Sequence, residues 1–172
     1  MKYCWLVLLL WMGFALPGEA RGQAAVYGQF SVSDLTNLVQ TDLLYGATTG
    51  VILQGPTLRH RIIFSADVQG RFVFKNGESL NGLTVGPRIS VPIKYRLTPY
   101  GEFMVGFVRY YSSTIPVRTT DSTIQINAGV VRSLSSRWDA SLDYSYAQYY
   151  ALGGQYNPKT FSVGAIYHFK KR

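Results

Sequence analysis

The feature that most constrains this chain is a two-residue alternation over residues 61–74, RIIFSADVQGRFVF. Ile62, Phe64, Ala66, Val68, Gly70, Phe72 and Phe74 fill the even positions without one polar side chain, while Arg61, Ser65, Asp67, Gln69 and Arg71 stand at odd positions. A helical period would scatter those charges around a cylinder. An extended strand puts the two sets on opposite faces, one meeting a purely apolar environment and the other a charged one.

The alternation recurs eight times from Ala25 onward. Over 80–93 the apolar set is Leu83, Val85, Pro87, Ile89, Val91 and Ile93, opposite Gly82, Thr84, Gly86, Arg88 and Ser90. Over 138–146, Trp138, Ala140, Leu142, Tyr144 and Tyr146 oppose Asp139, Ser141, Asp143 and Ser145. Over 160–169, Phe161, Val163, Ala165, Tyr167 and Phe169 oppose Ser162, Gly164, Ile166 and His168. Weaker members lie near 25–33, 43–53, 100–112 and 122–133, with Arg109 and Arg132 on the apolar faces near strand ends. Connections near 34–42, 75–79, 113–121 and 150–158 are the longer and more polar ones; those near 54–59, 94–99 and 134–137 are short.

An even number of strands, with turns short at one end and longer at the other, is the pattern of a membrane barrel. The chain is therefore expected to be all-β: a transmembrane, eight-stranded, antiparallel up-and-down β-barrel, apolar toward lipid and polar inside. The alternative is a soluble periplasmic lipocalin-like binder, whose apolar set points inward. The bulky, aromatic apolar sets and the small Gly, Ser and Ala residues opposite them argue against it, because an eight-stranded interior is narrow.

Ahead of the strands, Lys2 precedes an apolar run from Trp5 to Leu16, then Pro17, Gly18 and small residues. That run is about twelve residues, short of the roughly twenty a spanning helix needs. It reads as a secretory signal over 1–24, best cleaved after Ala24 with cleavage after Gly22 as the alternative, followed by the barrel domain over 25–172. Cys4, the only cysteine, falls inside the signal, so the exported chain would hold itself together without disulfides.

The last strand carries the most specific motif. Ser162, Gly164, Tyr167 and Phe169 give a polar–x–Gly–x–x–aromatic–x–aromatic arrangement. In this the chain resembles the small eight-stranded bacterial outer-membrane β-barrel proteins of the OmpA/OmpX and opacity type, over the whole exported length. The resemblance implies a Gram-negative outer membrane with both termini periplasmic and the longer loops extracellular. It also implies that these four residues form a C-terminal signal recognised by the outer-membrane assembly machinery. The chain departs from the family in continuing past the terminal aromatic with Lys170, Lys171 and Arg172.

The formal net charge of +8 would suit a nucleic-acid partner in the cytoplasm, but an exported barrel does not meet one. Arg59, Lys94, Arg96, Arg137 and the terminal Lys170, Lys171 and Arg172 are instead expected at the periplasmic rim, either as a collar meeting anionic headgroups or as solvated turn residues. Inside the barrel, charges must pair. A tight turn over 75–79 would face residues whose numbers sum to about 155, setting Asp67 against Arg88, with Glu102 in diagonal reach. An Asp67–Arg88–Glu102 cluster is expected as an interior plug.

Some barrels of this resemblance modify outer-leaflet lipid, which needs a Ser nucleophile and a His base near the outer surface. Both histidines, His60 and His168, fall at the opposite end of their strands, and His168 with Asp139 and Ser141 reads as a polar plug. No catalytic residue, metal site or cofactor is expected. The expected role is structural or surface-interacting, with a monomer whose partners are outer-membrane lipids and the assembly machinery. A lipid-modifying enzyme or a small-solute pore stands as the alternative.

Overall fold

The computed structural model describes residues 23–35, 43–58, 62–113, 117–151 and 154–169. The segment expected to be a signal, Arg59 to Arg61 with His60, and Lys170 to Arg172 lie outside the described residues, save that β1 begins at Ala24. Among the described residues there are nine strands: β1 (Ala24–Asp34), β2 (Leu43–Leu58), β3 (Ile62–Lys75), β4 (Glu78–Ser90), β5 (Leu97–Ser112), β6 (Val117–Ser133), β7 (Trp138–Ala151), β8 (Gly154–Tyr156) and β9 (Lys159–His168). From β1 to β8 each strand pairs antiparallel with the next. The β1–β9, β7–β9 and β6–β7 ladders close the sheet on itself.

The barrel has eight staves, because β8 and β9 are one strand in two pieces. Both pair with β7 in unbroken register, and the gap falls at Asn157-Pro158, where proline has no N–H to give the ladder. Closure abolishes the sheet edges that would otherwise expose unpaired backbone.

The faces are as the alternation requires. Phe64, Val68, Phe72 and Phe74 are exposed on β3, while Asp67, Gln69 and Arg71 are buried inside. The same holds for Leu83, Val85 and Ile89 against Arg88 and Ser90 on β4, and for Leu142, Tyr144 and Tyr146 against Asp143 and Ser145 on β7. A soluble protein cannot leave so many large apolar side chains in water, so this belt is the lipid-facing surface of a transmembrane barrel. Its limits show in the outward residues. Asn81, Arg109, Thr120 and Ser122 interrupt the belt at the loop end of β4–β6; Arg132 marks the other end.

Two of the connections expected to be long, 75–79 and 113–121, are shorter than that. The β3–β4 connection is Asn76-Gly77 alone, and β5–β6 is joined by residues 113–116. Strands β5 and β6 run for 16 and 17 residues, against the roughly ten a tilted strand needs to cross a bilayer. The polar residues at the ends of these connections belong to sheet that continues past the apolar belt.

The interior is layered. At the loop end Leu44, Val73, Leu80, Val108 and Tyr149 form an apolar plug. At the end carrying both termini Tyr27, Ile52, Tyr100, Val131 and Ile166 form a second. A polar belt lies between. Tyr27 faces Gly50 across the β1–β2 ladder and Tyr100 faces Gly129 across β5–β6. A Cβ on either glycine would come within 2.5 Å of the tyrosine ring, so glycine is what lets each ring lie flat against the wall.

Candidate functional site

The polar belt is a dense cluster of ionic and hydrogen-bonding side chains among the described residues, with Arg88 at its centre. The Arg88 guanidinium donates from Nη1 to Glu102 Oε1 at 3.0 Å and lies 3.6 Å from Asp67 Oδ2. It also sits 3.6 Å above the centroid of the Tyr100 ring, a cation–π contact. All three ionic groups are buried: Asp67 is 1% exposed, Glu102 5% and Arg88 6%.

The three residues come together in a different register from the expected one. Asn76-Gly77, both with positive φ, make a two-residue turn, so Arg88 faces Ser65 across β3–β4, and Asp67 faces Gly86. Glu102, expected on a diagonal, lies directly opposite Arg88. A shift of two residues keeps every side chain on its own face, and the long arginine spans the difference.

The belt extends well beyond those three. Tyr27 Oη donates to Asp67 Oδ1 at 3.0 Å, and Asn127 Nδ2 donates to Glu102 Oε2 at 2.7 Å. Gln125 Nε2 joins Gln69 Oε1 and Asn127 Oδ1 at 2.9 and 2.6 Å. Arg71 donates to Ser145 Oγ and Thr160 Oγ1 at 2.9 and 3.2 Å. Gln29 donates to Asp143 and to Ser141. Tyr27, Asn127, Gln125 and Gln29 were not singled out in the sequence. Their inward parity is the signal that would have found them, once strand bounds were known.

His168 Nε2 lies 2.8 Å from Asp139 Oδ2, with both side chains buried. Its Nδ1 has no hydrogen-bond partner, and Ser141 accepts from Gln29. Among the described residues no hydroxyl bonds His168 Nδ1. A cavity of about 20 Å³, room for roughly one water, adjoins His168, Ser65 and Arg88. Among the described residues no three His, Cys, Asp or Glu groups are placed to hold a metal.

The four residues of the terminal motif split between the two faces. Ser162 Oγ is 2.9 Å from Ser31 Oγ inside the barrel. Gly164 is at the β1–β9 seam, where a Cβ would meet Gly28 O at 2.1 Å. Tyr167 is on the outer face, 4.9 Å from Trp138 and 5.6 Å, edge to face, from Phe169. These three rings form an aromatic patch at the barrel end that carries the termini.

No family model and no curated protein sequence matches the chain. Among solved structures it is similar to Neisserial surface protein A (TM-score 0.59, 10% identity, covering 86% of this chain and 97% of that one). It is similar also to Ail, the attachment invasion locus protein of Yersinia pestis (TM-score 0.55, 14% identity, 88% and 99%). The outer membrane enzyme PagL is a third (TM-score 0.55, 11% identity, 83% and 98%). At these identities the likeness is one of fold. The chain has the architecture of a small eight-stranded outer-membrane barrel.

Proposed function

We propose that this chain is a monomeric integral protein of the bacterial outer membrane, structural or surface-interacting in role and without catalytic activity. The observation that carries this reading is an apolar belt wrapped around an interior filled by side chains, with no reactive constellation among the described residues. Short connections and an occluded lumen suit a membrane-anchored scaffold better than a pore. Both termini face the periplasm, and the β1–β2, β3–β4, β5–β6 and β7–β8 connections face outward. Ser162, Gly164, Tyr167 and Phe169 serve as the assembly signal, and outer-membrane lipids are the permanent partners.

Likeness in fold to PagL keeps an enzyme reading in view; what speaks against it is that the described histidine, His168, is buried against Asp139 at the end with the termini. The test has three readouts. The membrane fraction should show a protein whose gel mobility shifts on boiling. The purified barrel should give no discrete conductance in a planar bilayer. Lipid extracted from cells with and without the gene should have the same mass spectrum. Steady single-channel steps would overturn the plugged scaffold in favour of a pore, and a gene-dependent change in lipid mass would establish an enzyme.

A further inference from the structure

We propose that the β4–β5 hairpin carries a binding site for one anionic phospholipid, phosphatidylglycerol in kind. The headgroup sits on Lys94, Arg96 and Arg132, and an acyl chain lies in the groove beside them. This rests on the lipid-embedded reading above and adds a place and a headgroup preference to it.

The first support is uncompensated charge. Lys94 and Arg96 are exposed in the turn between β4 and β5. Arg132 is exposed on the outer face of β6, directly across from Leu97, the residue after Arg96. The neighbouring sequence over 91–99 and 130–138 contains no acidic residue, and the acids nearest in sequence, Glu102 and Asp139, are buried inside the barrel. A phosphodiester takes charge-assisted hydrogen bonds from two guanidinium groups and an ammonium. A zwitterionic headgroup would bring its own cation against the same three, and a headgroup of net negative charge would not.

The second support is a receptacle for the chain. An apolar groove of about 500 Å³ runs over the outer face of β4 and β5, lined by Pro87, Ile89, Val91, Pro99, Gly101 and Phe103. Gly101 is the floor: it faces Ile89 across the ladder, and a Cβ placed there would meet nothing nearer than 3.9 Å. The groove ends where Val91 N bonds Pro99 O at 3.0 Å, next to the turn that holds Lys94 and Arg96. Charge and groove are thus in the order of a lipid, head at the rim and chain along the wall.

The third support is the turn's backbone. Tyr95 and Arg96 have φ of 64° and 59°, two successive side-chain-bearing residues in the left-handed region. The β3–β4 turn meets the same demand with Asn76-Gly77, the residues that bear it at least cost. Holding Tyr and Arg there against their preference points to a use for their side chains. Tyr95 is 86% exposed at the tip and Ile93 54%, the amphipathic setting of a membrane interface.

The test uses the full chain folded in detergent micelles, with folding checked by the mobility shift on boiling. Native mass spectrometry then counts the lipid retained from an equal mixture of phosphatidylglycerol and phosphatidylcholine with the same acyl chains. The expected result is one phosphatidylglycerol retained in roughly tenfold excess or more, the scale of a few interfacial charge contacts. Joint K94Q, R96Q and R132Q should abolish the excess. Gly101→Leu should lower retention by filling the groove with every cation still in place, and Arg109→Gln, at the other rim, should change nothing. Equal retention of both lipids, or a triple variant that behaves as wild type, would overturn the proposal, as would a preference for lipid A over phosphatidylglycerol at these residues. A chain that never acquires the heat-sensitive form in any lipid would overturn the membrane-barrel reading itself; a folded chain indifferent to headgroup charge would overturn only this site.

Discussion

Replacing Arg88 with methionine isolates what the interior charge cluster contributes. Methionine keeps much of the apolar stem and removes the guanidinium. Among the described residues Arg88 is the one cation within 4 Å of either Asp67 or Glu102, at 3.6 and 3.0 Å. At an effective dielectric of about 20, each pairing carries a gross attraction of roughly 5 kcal/mol, most of it offset by the cost of burying the charges. The loss therefore comes from what stays behind. Asp67 keeps the Tyr27 hydroxyl and Glu102 keeps the Asn127 amide, but both carboxylates remain buried without a counter-charge. Breaking a buried pair in this way costs about 3–5 kcal/mol. The assay is urea unfolding of the barrel in lipid vesicles, followed by tryptophan fluorescence, with Trp138 half exposed on the lipid face as reporter. Combining R88M with D67N and E102Q should recover most of the loss, because each carboxamide oxygen still accepts its hydrogen bond. An R88M protein within about 1 kcal/mol of wild type would refute the argument, as would a triple variant less stable than R88M alone.

Two further outcomes follow from the wall. Gly164→Val places a Cβ 2.1 Å from Gly28 O and 2.5 Å from Gln29 Cα, both backbone, so neither can give way. It should cost about 3 kcal/mol, the upper end for overpacking, in vesicle refolding without any assembly machinery, whereas Gly28→Ala, with open space around it, should cost under about 0.5 kcal/mol. A Gly164→Val barrel that closes normally would remove the packing account of that glycine. Val105→Arg, in the middle of the apolar belt, should destabilise by about 2–4 kcal/mol in the same titration, and Thr120→Arg, beyond its edge, by about 0–1 kcal/mol. Equal costs at the two positions would mean that the belt has been misplaced.

Which face each residue takes was legible because a period of two survives errors in everything else. Asp67 and Arg71 go inside whether their strand begins at 61 or 62, and a two-residue slip in pairing leaves them there. The register was also written in the sequence, in Asn76-Gly77, the strongest short hairpin signal. Treating 75–79 as a connection instead of those two residues alone displaced Arg88 from Ser65 to Asp67 as its partner. The layering of the interior was not legible. Leu44, Val73 and Leu80 are apolar and inward, but alternation alone assigns apolar residues to lipid wherever both faces carry them. Long loops were inferred for a related reason. Ser79, Asn81, Thr120 and Ser122 are strand residues beyond the belt, where neither face has to be apolar, so the alternation fades although the ladder continues.

The two apolar plugs explain how the barrel can hold so many charges. Asp67, Arg71, Arg88, Glu102 and Asp143 are all buried in a space too narrow for bulk water, between the Leu44–Leu80 layer and the Tyr27–Tyr100 layer. Excluding water raises the cost of each charge and strengthens each hydrogen bond that meets it, so the belt is stable only when nearly complete. That makes the interior a fixed core, with Arg88 as the piece that cannot be removed alone. Passage of a solute would require parting Leu44 from Leu80 at one end and Tyr27 from Tyr100 at the other, with the Arg88 pairs broken between them. The surfaces left free to act are then the outer ones: the β4–β6 wall where it rises past the belt, and the Lys94–Arg96 turn with its groove at the opposite rim.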